Sequence, residues 1–315
     1  MIDLPLVSII TPSYNQAAFL EKTMRSVLEQ DYPNIEYLVA DGGSNDGSVE
    51  IIKRYADRLA WWASEKDHGQ GEAINKGFAR AKGKYIAWVN SDDYYQPGAT
   101  RAAVAELEAH PEIGMVFGDV QVVSANGRVL NELHYGNWGL KELMTFHIIG
   151  QPAVFMRRSV LEKAGYLDMN YHFMLDHQLW LRMGLESGMR YVPQLWAGAH
   201  YHEDCKNLAQ AAEFGKEAYR IVEWMEKDPR FESLFCLNAP YIKAGAERIN
   251  GFYLLDAKEY QASFRAYWHG FLLSPEVIFP EWYRMVFALF APLGLEKLRT
   301  RRIENRSERL SSKEN

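Results

Sequence analysis

The 315 residues carry a net charge of −6, with 48% hydrophobic and 24% charged residues. That composition suits one large globular domain, or a domain with an extension, and supplies no overall basic field for nucleic acid. Cys205 and Cys236 are the only cysteines and have no CxxC spacing, which argues against a disulfide framework or a zinc site and fits a reducing compartment.

The amino end, MIDLPLVSII, lacks the basic n-region and long apolar core of a signal peptide. A first strand is predicted over Val7 to Thr11. A helix follows in AAFLEKTMRSVLEQ, where Phe19, Leu20, Met24, Val27 and Leu28 recur at helical spacing. IEYLVADGGS reads as a second strand ending at Asp41, and DGSVEIIKRYA as a second helix with Asp46 or Ser48 at its N-cap. LAWWAS is a third strand, GQGEAINKGFARAKG a third helix stopping at Gly83, and KYIAWVN a fourth strand with Asp92 and Asp93 directly behind it.

Farther along, GMVFGDVQVVSANGRVLNEL predicts a strand and a hairpin turning at Ala125, Asn126 and Gly127. GQPAVFMRRSVLEKAGYLD predicts a strand leading into a short helix. LDHQLWLRMGLESG predicts a helix with Leu175, Leu179, Trp180 and Met183 on one side, and MRYVPQLWAGAHYHED a pair of strands. From about Asn207 the chain reads helical. This places a boundary near residue 205, with a first domain over 1–205 and a helical extension over 206–315. No stretch of about 18 apolar residues reads as a membrane span, and a cytoplasmic location is expected.

Strand–helix repetition of this kind predicts an α/β fold, Rossmann-like, with a mostly parallel sheet and helices on both faces. In such sheets ligands sit beyond the carboxyl ends of the strands. Asn15, Asp41, Asp67 and the Asp92–Asp93 pair fall just after strands one to four, so four polar clusters gather on one rim. One such cluster is an ordinary loop; four together mark a binding edge. The dinucleotide GxGxxG, the P-loop GxxxxGK[ST] and the GxSxG elbow are all missing.

A carboxylate pair behind a buried strand suits a hard divalent cation. Mg²⁺ takes one or two carboxylates and leaves other positions for water and substrate phosphates. Asp92 and Asp93 are thus a candidate clamp for a nucleotide diphosphate; the same residue types also suit a turn or N-cap ahead of PGATRAAVAEL. Asp41, followed by two glycines, can meet a base N–H or a ribose hydroxyl, or simply close a tight turn. His68 reads as a loop histidine.

The stretch VSIITPSYNQAAFLEKTMRSVLEQDYPNIEYLVADGGSNDGSVEII resembles the opening of the family 2 glycosyltransferases, and EKDHGQGEAINKGFARAKGKYIAWVNSDD resembles their next block, ending in a DxD-like metal motif. The resemblance runs over roughly residues 5 to 203, with its motifs in order and at the right spacing. It implies a GT-A fold and inverting transfer of a sugar from a nucleotide diphosphate. By the same resemblance Thr11, Pro12 and Tyr14 would line the nucleotide, Asp41 would contact a uracil or thymine base, and Asp67 would lie near the nucleotide or donor sugar. Asp92 would meet the ribose, and Asp93 would ligate Mg²⁺ or Mn²⁺ under the diphosphate. FMLDHQLWLRMG resembles the family's late-helix setting of the catalytic base. That implies Asp176 as base, with Leu175 where a glutamate more often stands. GAHYHEDCKN resembles a stretch whose histidine approaches the metal, which implies His202, with His200 the competing candidate; the family's serine position is Cys205 here. Gln151 and Pro152 would border the acceptor. Trp180 and Arg182 are expected to support the helix.

The implied donor is UDP- or dTDP-linked and the implied acceptor a glycan or lipid-linked hydroxyl, in bacterial cell-envelope polysaccharide or glycolipid assembly. The stretch FPEWYRMVFALFAPLGLEKLRTRR sets aromatic and aliphatic residues beside Lys297, Arg299, Arg301 and Arg302. Three readings stand for it: docking at the inner face of a membrane, a core-packed helix with a solvated tail, or a homodimer contact. A non-catalytic nucleotide-sugar or glycan scaffold is the alternative to an enzyme, but such a module has no physical need for Asp176. A nucleotidyltransferase would place a basic, glycine-rich loop after the first strand, where this chain has TPSYNQAAF.

Overall fold

The computed structural model describes residues 4–201 and 210–293. The chain forms two compact units, one of 1–127, 131–139 and 149–200, the other of 128–130, 140–148 and 201–315.

The first unit is built on a nine-stranded sheet. Its strands are β1 (Val7–Ser13), β2 (Ile35–Asp41), β3 (Trp61–Ser64), β4 (Tyr85–Trp88), β5 (Asp93–Tyr95), β6 (Ile113–Ser124), β7 (Val129–Leu133), β8 (Val154–Arg157) and β9 (Gly188–Tyr201). The spatial order is β3-β2-β1-β4-β8-β6-β9-β5, with β7 paired to β6. β1 runs parallel to β2 and β4, and β2 parallel to β3. β8 is antiparallel to both β4 and β6, and β5 is antiparallel to β9. The predicted parallel sheet therefore covers the first four strands, and the remainder makes the sheet mixed.

Helices α1 (Ala17–Leu28), α2 (Ser48–Arg54), α3 (Gln70–Phe78), α4 (Ala99–Ala109), α6 (Arg158–Ala164) and α7 (Leu175–Glu186) belong to this unit, while α5 (Leu140–Met144) falls in the second. α1 buries Leu20, Met24 and Val27, an i, i+4, i+7 stripe against the sheet. α3 comes close to β1 because Gly77 faces Ile10: a Cβ there would lie 2.5 Å from Ile10 Cγ2. It ends at Phe78, sooner than the sequence pattern suggested. The hairpin turns as expected, with the Gly127 N–H donating to the Ser124 carbonyl at 2.8 Å and Gly127 at φ +84°.

One element differs in kind. The segment read as a strand pair is a single 14-residue strand, β9. It runs through Pro193, between β6 and β5, and β5 pairs with it only at Ala197–Ala199.

The second unit is helical over its described 210–293 stretch, with α8 (Ala211–Lys227), α9 (Glu232–Asp256), α10 (Tyr260–Leu273), α11 (Pro275–Ile278) and α12 (Trp282–Phe290). Phe214 stacks on Tyr253 at 4.2 Å between centroids, joining α8 to α9. Gly251 lets α9 lie directly on the Tyr267 ring of α10. Arg248 ties the unit together, donating to the Phe146 carbonyl at 2.8 Å and pairing with Glu281 at 2.7 Å. Among the described residues no helix is long and apolar enough to cross a membrane.

Candidate active site

The parallel half of the sheet brings the predicted clusters to one edge. β2 ends on Asp41, which is 2% exposed. Its Oδ2 accepts from the Gly43 and Ser44 amides (3.1 and 2.9 Å) and the Ser64 hydroxyl (2.6 Å), and its Oδ1 accepts from the Ser44 hydroxyl at 2.6 Å. These bonds bind the ends of β2 and β3 into one rigid corner. Gly42 forms the floor of the corner: a Cβ there would lie 3.0 Å from Asp67 Oδ2 and 3.2 Å from Tyr14 Cδ2. Asp67, whose Oδ1 accepts the Gly69 amide at 2.9 Å, and the 62%-exposed ring of Tyr14 therefore converge above a residue without a side chain. The absence of a side chain at Gly42 is what lets the Asp67 carboxylate and the Tyr14 ring close over the backbone there.

Thr11 and Pro12 lie deeper. Thr11 is fully buried and its hydroxyl pairs with Tyr37 Oη at 2.9 Å, and Pro12 is buried in the same strand. Both hold β1 in place under the rim. Asn15 takes up the left-handed turn after β1 (φ +50°), with its Oδ1 accepting the Asn45 amide at 3.0 Å. Asp46 serves two helix starts at once, since Oδ2 accepts the Ala17 amide at 2.8 Å and Oδ1 the Ser48 amide and hydroxyl at 3.0 and 2.7 Å.

Beyond β4, the chain turns through Asn90–Ser91 and carries Asp92 and Asp93 onto β5. Asp93 is buried. Its carbonyl and that of Ser91 accept the Thr23 hydroxyl at 2.6 and 2.9 Å, anchoring the turn to α1. Asn90 donates to Asp93 Oδ2 at 3.3 Å and accepts from Gln70 at the start of α3 at 2.7 Å. Burial, and then the adjacent Asp92 charge, push the Asp93 carboxyl well above its ordinary range.

His200 lies beneath this turn. Its Nδ1 faces the Asp92 carbonyl, which can only accept, so Nδ1 carries the proton and Nε2 is left to accept from the Lys22 ammonium at 3.4 Å. Lys22 also sits over the Tyr94 ring, 3.6 Å from its centroid, and burial lowers its pKa. Lys22, Tyr94, Asn90 and Gln70 were not singled out in the sequence: Asn90 and Tyr94 flank the aspartates in the chain, but Lys22 and Gln70 are ordinary helix residues until the fold brings them to this turn. His202 and Cys205 lie outside the described residues.

Asp176 stands in the first turn of α7, where its Oδ1 accepts the His177 amide at 2.7 Å and so orients the carboxylate. One turn later, Trp180 packs on Trp88, the last residue of β4, with ring centroids 5.2 Å apart. Gln151 donates to the Trp88 carbonyl at 2.8 Å, and Pro152 is buried beside it. Arg182 is spent on structure, donating to the carbonyls of Ala164, Gly165 and Tyr166 at 2.6–2.9 Å.

Among the described residues no group of three or more His, Cys, Asp or Glu side chains forms a metal cage. A cation held by one or two carboxylates and completed by substrate phosphates needs no such cage. Asp93 with Asp92 fits that description, because a buried carboxylate beside a second one is stabilised in its ionised form by a nearby cation.

The model of the glycosyl transferase family 2 matches residues 8–165, which take in the Asp41 corner, Asp67 and the Asp92–Asp93 turn. The chain belongs to this family. An uncharacterized glycosyltransferase of Methanocaldococcus jannaschii is 27% identical over 190 residues, 58% of this chain and 65% of its own, so the chain spans under two thirds of that relative's length. TuaG of Bacillus subtilis, a glycosyltransferase assigned by name to teichuronic acid biosynthesis, is 40% identical over 185 residues, 57% of this chain and 72% of its own. S. aureus TarS 1–349 in complex with UDP-GlcNAc superposes with a TM-score of 0.59 at 16% identity, covering 89% of this chain and 91% of that one. The mannosyltransferase PcManGT of Pyrobaculum calidifontis, solved with GDP-Man and Mn²⁺, superposes at 0.57 and 19% identity, covering 94% and 89%. The fold of this family 2 member is the GT-A fold.

Proposed function

We propose that this glycosyltransferase moves a sugar, with inversion, from a UDP- or dTDP-linked donor to a hydroxyl of a glycan or lipid-linked acceptor in cell-surface polysaccharide assembly. The observation that carries the proposal is the buried Asp93 beside Asp92 at the same strand edge as the Asp41–Gly42–Asp67 corner. In this reading the nucleotide base lies at the corner and the diphosphate over the carboxylate pair. The name of TuaG supports the polysaccharide setting, and the UDP-GlcNAc complex of TarS supports a uridine donor.

In this proposal the acceptor hydroxyl oxygen attacks the anomeric carbon from the face opposite the nucleotide. Asp176 takes the hydroxyl proton, the bond between the anomeric carbon and the diphosphate oxygen breaks, and the nucleoside diphosphate leaves with the bonding electron pair. Asp93, with Asp92, would hold Mg²⁺ or Mn²⁺, which when bound supplies positive charge for the departing diphosphate. Tyr14 and Asp67 position the donor. Asp176 is held for its task by its own helix amide and by the Trp180–Trp88 contact.

The test is a thermal-stability titration of the purified chain with UDP, dTDP, GDP and ADP, each with and without Mn²⁺, followed by assay of the matching nucleotide sugars. A ligand that binds the native state raises apparent stability by mass action. A Mn²⁺-dependent rise with UDP or dTDP is expected. A folded protein that responds to none of the four would overturn the proposal.

A further inference from the structure

The helical unit exposes an apolar face that its own core does not use. Of the nine residues of α12, only Ala288 is fully buried, while Trp282 (52% exposed), Val286, Leu289 and Phe290 lie outward at i, i+4, i+7 and i+8. Phe279 (66%), just before the helix, and Leu272 (63%), at the end of α10, add to the exposed apolar surface of the unit. On α10 the rings of Phe264, Trp268 and Phe271 stack in series, at 6.4 and 5.8 Å between centroids, with Trp268 exposed. Isolated exposed apolar residues are ordinary; a concentration of large ones on neighbouring helices marks a contact surface. Tryptophan and phenylalanine in this number suit the headgroup–acyl boundary of a bilayer, where an aromatic ring is stable.

Charge identifies the occupant. An open cleft of about 420 Å³ is lined by Lys258, Glu259, Tyr260, Gln261 and Arg265 from the α9–α10 corner, and by Pro292, two residues past α12, so two cations stand there against one carboxylate. Tyr260 meets Phe287 of α12 edge-on at 6.3 Å between centroids, so the cleft and the apolar helix adjoin. Lys258 and Arg265 are exposed and make no ion pair with any described residue. In sequence, Lys297, Arg299, Arg301 and Arg302 follow within a few residues, in a chain that is otherwise acidic overall. An apolar helix face, a cleft beside it in which two cations outnumber one carboxylate, and a run of basic residues in the sequence that follows match an anionic lipid surface: acyl chains for the rings, phosphates for the cations.

We infer that α12 and the Lys258–Arg265 cleft dock this protein on the surface of an anionic bilayer, with Trp282, Val286, Leu289 and Phe290 in the headgroup–acyl boundary. The inference stands on the helical unit alone and does not depend on the donor or acceptor.

The experiment is cosedimentation of the full chain with vesicles of phosphatidylcholine alone and of phosphatidylcholine mixed with phosphatidylglycerol. Binding to the mixed vesicles, weakened by added salt, is expected, with little binding to the neutral ones. Trp282→Glu with Leu289→Glu should abolish sedimentation, and Lys258→Glu with Arg265→Glu should reduce affinity by roughly fivefold or more for each cation replaced. These side chains are exposed, so both double variants should melt at the parent temperature, which separates lost docking from lost folding. Absence of vesicle binding by the folded parent would overturn the inference. So would a stable dimer, seen by sedimentation velocity and dissolved by the Trp282→Glu and Leu289→Glu pair, because the face would then be an interface between copies.

Discussion

Trp180 of α7 packs on Trp88 at the end of β4, ring planes tilted by 30° and centroids 5.2 Å apart, and both residues are fully buried. This contact couples two parts of the site distant in sequence: Asp176 begins the helix that carries Trp180, and Asp92–Asp93 follow the strand that ends in Trp88. Replacing Trp180 by alanine removes a large buried side chain from a packed core and should cost about 3–5 kcal/mol of stability. Chemical denaturation measures it. A loss under about 1 kcal/mol would mean that α7 is held by other contacts.

Asp176→Asn removes the proton acceptor and keeps shape and size. The turnover number should fall by about 10²–10⁴-fold, while the nucleotide-dependent rise in melting temperature stays at the parent value. Parent-level turnover in this variant would reject Asp176 as base.

Asp93→Asn should act on the other half of the reaction. Calorimetric titration with UDP and Mn²⁺ should show affinity falling at least about tenfold, since the cation loses the buried one of the two carboxylates that would hold it. Binding in the absence of metal should change little. An equal loss with and without Mn²⁺ would assign Asp93 to the fold of the turn and not to the cation.

Asp46 satisfies amide groups at the starts of both α1 and α2. Burial works against its ionised form, but the Ser48 hydroxyl and the Ala17 and Ser48 amides outweigh it and hold its carboxyl below the usual range. Asp46→Ala should cost about 1–2 kcal/mol, the upper part of the range for one cap because two helices lose an acceptor. The contribution is present above the ordinary aspartate range and should fade as pH falls through the lowered value, so the gap between parent and variant should narrow in acid.

Glu281 provides a second pH-dependent prediction, in the helical unit. Burial raises its pKa, and the Arg248 and Arg284 guanidiniums together more than reverse this, holding the carboxyl below its ordinary value. A depressed carboxyl stabilises the fold above the unfolded-state value and loses that contribution as pH falls through the folded-state one. Glu281→Gln should therefore cost roughly 2–4 kcal/mol near neutrality, less than a fully buried pair because the ions keep some solvent. The difference should shrink on acidification, read from melting curves across pH. A pH-independent difference would show that packing, and not charge, is what Glu281 supplies.

Much of the α/β architecture was legible in local pattern. Strand–helix alternation over residues 7–88 identifies a parallel sheet, because each apolar strand followed by an amphipathic helix has only one common way to bury both faces. Asp41, Asp67 and Asp92–Asp93 could be assigned to one edge for the same reason, since each sits one step past a strand whose direction the alternation determines. The resemblance in these blocks then led to the family.

Other features depend on neighbours far away in sequence. Pro193 disfavours a strand by local rules, yet β9 runs through it between β6 and β5. Nothing near Lys22 or Gln70 in sequence announces that one would face His200 and the other Asn90; those pairings exist only once α1, α3 and β9 are folded around the same turn. The aromatic and aliphatic character of Trp282–Phe290 was visible in the sequence. Whether its stripe is covered was not, because amphipathic spacing records which residues share a helix face and says nothing of what packs against it. Composition and pattern thus determined the fold class, the strand edge and the chemistry of the residues on it. Tertiary structure alone decided which side chains meet at Asp92–Asp93 and which apolar face remains exposed, since both are properties of packing between distant segments.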